Sequence, residues 1–102
     1  MSKRTNMVNE IIANFDFEKV QNVMTHLEWG WHGEGVPSLS RLKEGAIERL
    51  DSAIDGLLSS DINHNIAWIS SSGGFKATAW KNKKGKLKKL SLEFIITDWD
   101  TD

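Results

Sequence analysis

Apolar residues recur at three- and four-residue steps through the first half of the chain and at two-residue steps through its last third. The pattern therefore predicts helices followed by strands. Phe17, Val20, Val23, Met24 and Leu27 form one stripe. Asp16 stands before it as the N-cap, since its carboxylate can accept from the free N–H groups of the first turn. Phe15 and Val20 occupy the two places of a hydrophobic staple, and Gly30 ends this helix. Residues 30–37 read Gly-Trp-His-Gly-Glu-Gly-Val-Pro, a composition that suits a loop and neither helix nor central strand. Ser38 caps a longer helix ending near Leu58. Its stripe is Leu39, Leu42, Ala46, Leu50, Ala53 and Leu57, widened by Ile47, Ile54 and Leu58. Gly45 and Gly56 interrupt it at about 1 kcal/mol each relative to alanine, so each leaves room for a close neighbour.

From Ile66 the period is two. Ser72-Gly73-Gly74 marks a turn or bulge, Phe75 to Trp80 a second strand, and Asn82 to Gly85 a hairpin loop. In the last strand Leu90, Leu92, Phe94 and Ile96 face one way. Lys89, Ser91, Glu93, Ile95 and Thr97 face the other. The expected fold is α+β, with two helices packed on one face of a three-stranded antiparallel β-meander. Phe17, Val20, Leu27, Leu42, Leu50, Leu90, Leu92 and Phe94 are the expected core. Residues 1–13 read as an N-terminal leader, in which Met7, Val8, Ile11 and Ile12 allow at most a short helix. Residues 14–102 read as a single domain.

Composition narrows the chemistry. The chain has 102 residues, 39% hydrophobic and 26% charged, which suits one globular domain. Cysteine is absent, which removes disulfides, thiolate metal sites and cysteine nucleophiles. No segment reads as a membrane span, and the first residues lack the apolar region of a signal peptide. Residues 10–61 carry ten Asp or Glu against four Lys or Arg, while 62–96 carry seven Lys against one Glu. Most of those lysines surround one turn, where they also deter strand aggregation. With a pI near 6.3, a nucleic-acid partner is disfavoured.

Two segments hold candidate binding residues. Trp31 and His32 lie in the first glycine-rich loop, beside Trp29. Ser71, Ser72, Gly73, Gly74, Phe75 and Lys76 form the second segment. Glycine lets backbone N–H groups approach an anion, hydroxyls add donors, and a flat ring offers a stacking surface. Against this, turn formation accounts for the serines and glycines, and large rings are usually core. His26, His32 and His64 lack metal-site spacing, and no nucleophile elbow is present. Neither a metal, a cofactor nor catalysis is expected.

The pieces FDFEKVQNVMTHLEW, GEGVPSLSRLKEGAIERLDSAI, SSSGGFKATAW and LSLEFIITDW together resemble a family of small accessory proteins of tailed bacteriophages. That family has no enzyme chemistry to carry over. The resemblance implies a phage protein made in the bacterial host cytoplasm that helps the phage against host defence. The favoured expectation is a non-enzymatic sponge that sequesters a phosphate-bearing nucleotide immune signal in a pocket of Trp31, Ser71, Gly73 and Phe75. The alternative is direct inhibition of a host defence protein through an exposed surface, such as the acidic helix or acidic tail. A homodimer or larger assembly is expected, because a three-stranded sheet has one face and two edges to protect.

Overall fold

The computed structural model describes residues 2–26, 35–68 and 73–96. Three helices, α1 (Lys3–Asn14), α2 (Phe17–His26) and α3 (Leu39–Leu58), precede three strands, β1 (His64–Trp68), β2 (Gly73–Lys81) and β3 (Leu87–Ile96). The strands form one antiparallel sheet in the order β1-β2-β3. This is the expected α+β meander with helices on one face.

The local signals act as expected. The Lys19 amide donates to Asp16 Oδ1 at 3.0 Å, and the Arg41 amide to Ser38 Oγ at 3.2 Å. Each satisfies a donor that the first helical turn leaves without a partner. At the β2–β3 turn Gly85 has φ 78°, and Asn82 Oδ1 accepts from the Lys84 and Lys86 amides at 2.9 and 3.0 Å.

Two apolar clusters lie between helices and sheet. One joins Leu50, Ala53, Ile54 and Leu57 of α3 to Ala77, Ala79, Leu87 and Leu90. The other joins Phe17, Val20 and Met24 of α2 to Leu42, Ala46 and Phe75. Of the expected core, Phe17, Val20, Leu42, Leu50 and Leu90 are buried. Leu92 and Phe94 are half-buried and pack against the clusters. Leu27 lies outside the described residues.

Within residues 1–13, expected as a leader, the chain from Lys3 is helical, and this helix, α1 (Lys3–Asn14), belongs to the core. Val8 is 6% exposed and packs into the α3–β3 cluster, flanked by Met7, Ile11 and Ile12. Ser2 caps this helix by accepting from the Thr5 amide. Arg4 reaches Asp55 at 2.9 Å and Asp51 at 3.3 Å on α3. The Asp55 hydrogen bond raises the Arg4 pKa above its already high ordinary value, so this guanidinium stays charged.

Gly56 is the close approach that its place in a helix suggested. A Cβ there would stand 2.3 Å from Asn65 Nδ2, which donates to the Ala53 carbonyl at 3.0 Å. Alanine in a helix interior normally gains up to about 1 kcal/mol over glycine. Gly56→Ala is expected to lose that gain, because Asn65 must swing away and its hydrogen bond is worth about 1 kcal/mol. In an Asn65→Ala background the same substitution should stabilise. Urea unfolding of the four proteins measures the coupling.

Candidate functional site

Register decides which face each site residue occupies. Phe75, Ala77 and Ala79 of β2 stand beside Phe94, Leu92 and Leu90 of β3, and these positions face the helices. Gly74, Lys76, Thr78 and Trp80 alternate with them and face away. Phe75 is 1% exposed. Its ring lies 5.2 Å from that of Phe94, 5.8 Å from Phe17 and 5.9 Å from Phe15, all tilted or edge-on. The expectation that Phe75 offers a stacking platform is therefore corrected. Its ring is buried among three other core rings, and Lys76, one residue on, points to the opposite side of the sheet.

Of the other expected site residues, Trp31, His32, Ser71 and Ser72 lie outside the described residues. Gly73 and Gly74 open β2. Gly74 has φ 139°, a conformation that side chains other than glycine rarely adopt, and a Cβ placed there would meet nothing within 4 Å. Lys76 pairs in register with Trp68 on one side and Glu93 on the other.

The chain on either side of the Trp31–His32 segment is anchored at the same end of the sheet. Met24 lies before it and is fully buried in the cluster that contains Phe75, while Val36 lies after it and packs against that cluster. Gln21 Nε2 also donates to the Pro37 carbonyl at 3.0 Å. The flanks of one glycine-rich segment thus converge with the start of β2.

The acidic helix offers less free charge than its sequence suggests. Arg4 engages Asp51 and Asp55, and Arg41 stands 3.4 Å from Glu44 and 4.0 Å from Glu48. The acidic tail lies outside the described residues. A surface that the site analysis of the sequence overlooked is the sheet face turned away from the helices. It carries Ile66, which is 47% exposed, half-buried Trp80, and Lys89, whose Nζ stands 4.8 Å from the Trp80 ring centroid in cation–π contact. The alternation of residues 74–80 was the available signal.

Two grooves lie elsewhere. One of about 490 Å³ runs between α1 and β3, lined by Met7, Ile11, Phe15, Lys88, Leu90 and Leu92 among others. Another of about 380 Å³ sits at the α1–α2 corner beside Leu39 and Lys43. Among the described residues no helix is long and apolar enough to cross a membrane, and no three His, Cys, Asp or Glu side chains gather as a metal would require. No protein-family model, curated protein or solved structure matches this chain.

Proposed function

We propose that the chain is a non-enzymatic binding protein that sequesters a small phosphate-bearing ligand at the end of the sheet where Met24 and Val36 converge with the start of β2. In the setting implied by the phage resemblance, a bacterial host cytoplasm, the ligand is a nucleotide immune signal. The observation that carries this reading is the convergence of Met24, Val36 and Phe75 in one cluster. It anchors the flanks of Trp31 and His32 on the helix side of the start of β2, the end that Gly73 and Gly74 open. Glycine backbone lets phosphate oxygens come close and Ser71 and Ser72 add hydroxyl donors, while Lys76, on the other side of the sheet, is left outside the pocket. Phe75 serves as the buried floor, so stacking on a base falls to Trp31.

A melting screen against cyclic and linear nucleotides tests this. A ligand at one hundred times its Kd should stabilise the protein by about 2.7 kcal/mol. Trp31→Ala should reduce the shift while leaving the melting of the free protein nearly unchanged, and Lys76→Gln, on the opposite side of the sheet, should leave the shift intact. If no nucleotide shifts the melting, direct inhibition of a host defence protein takes first place. That second reading is favoured by the sheet face turned away from the helices, where exposed Ile66 and half-buried Trp80 stand among charges much as in protein interfaces. Its mark would be capture of one defence protein from host lysate that Ile66→Asp abolishes.

A further inference from the structure

β3 is an edge strand, and among the described residues it pairs with β2 alone. It is ten residues long against five for the other edge, β1. Long edges expose unpaired backbone donors and acceptors and are normally covered or blunted. Beside this one lies the α1 groove, with Leu90 and Leu92 in its lining, and Leu92 is only half-buried in the single chain.

The charges on β3 have a definite order. On the face away from the helices it reads Lys89, Ser91, Glu93: positive, neutral, negative. A two-fold axis perpendicular to the sheet would pair β3 with its own copy, antiparallel, keeping the same side chains on the same face. Centred on Ser91, such pairing sets Lys89 opposite Glu93 of the partner subunit, and Glu93 opposite Lys89 of the partner subunit. On the helix side it sets Leu90 against Leu92 of the partner subunit, which extends the core across the seam. Centring on Lys89 or Glu93 instead brings like charges together, and centring on Leu90 or Leu92 leaves the charges facing serine or apolar side chains. One register therefore satisfies both faces at once, as a specific interface requires.

We propose that the protein forms a two-fold dimer through antiparallel pairing of β3 with β3 of a second copy, centred on Ser91. The two three-stranded sheets become one continuous sheet whose remaining edges are the two short β1 strands. This assembly does not depend on what the protein binds.

Charge reversal tests the register. The wild-type chain is expected to run at twice its 11.5 kDa mass in light scattering at micromolar concentration. Lys89→Glu and Glu93→Lys each replace two attractive cross-strand contacts with two repulsive ones. Each alone should raise the dimer Kd by about tenfold or more, given the usual size of such pairs. Mixed in equal amounts, the two variants should restore a dimer containing one chain of each, because every reversed charge then meets its opposite. Circular dichroism confirms that both remain folded, and the mixing arm reads association rather than stability. A wild-type monomer would overturn the proposal and leave the edge to an extended segment of another protein. Single variants that dimerise as well as wild type, or a mixture that fails to pair, would overturn it equally.

Discussion

Phe75→Ala is expected to lower folding stability by about 3–5 kcal/mol, the usual cost of truncating a buried phenylalanine. A domain of this size has only about 5–15 kcal/mol in total, so the variant should unfold at markedly lower urea and temperature. The cost has two parts. Among the described residues Phe75 is the largest fully buried side chain, and its removal also strips Phe15, Phe17 and Phe94 of their shared partner. Edge-on aromatic pairs add about 0.5–1.5 kcal/mol each beyond area burial. The central strand cannot move inward to fill the gap, because β1 and β3 hold it on both sides. Phe75→Leu keeps most of the volume and should lose far less. Urea unfolding of the three proteins separates this from the surface role first expected of Phe75. An exposed stacking ring could be truncated with a change within about 0.5 kcal/mol.

Val8→Asp is expected to cost at least about 2.5 kcal/mol. Losing a buried valine removes about 1.5–3 kcal/mol of apolar burial. The introduced carboxylate adds a desolvation penalty of at least about 1 kcal/mol. The site is lined by α3 and β3 residues such as Leu50, Leu87 and Leu90. If residues 1–13 were a loose leader, the same substitution would be nearly silent. Thermal melting decides, and Asn6→Asp on the exposed side of α1 serves as the control.

What was legible in the sequence is what short-range chemistry sets. Asp16 and Ser38 announce helix starts because a cap acts within three residues. Asn82 and Gly85 announce the hairpin because a turn needs particular backbone angles. The β3 alternation is readable since its apolar and polar positions differ sharply. α1 was harder. Its apolar positions, Met7, Val8, Ile11 and Ile12, are few, and only Val8 is fully buried, so its place depends on distant residues of α3 and β3. The face of β2 was hidden for another reason. Its helix side is Phe75, Ala77 and Ala79, of which the two alanines are small enough to let α3 come close, while Trp80 occupies the opposite side. An aromatic residue on each face gives no sign of which looks inward. At the site, Lys76 and Phe75 read as neighbours in sequence, and a strand separates such neighbours onto opposite sides.

The order of the sheet also bears on how quickly the molecule reaches its native state. Each strand pairs with the next along the chain, so β2 and β3 can zip from the Asn82–Gly85 turn without first closing a long loop. Loop closure is the entropic cost that slows sheets built from distant segments. The rate-limiting event then falls to the more distant partnership, the docking of α3 and α1 onto the finished hairpin. Truncations in the helix-to-sheet cluster, such as Leu50→Ala, should therefore chiefly slow refolding, since that docking forms part of the barrier.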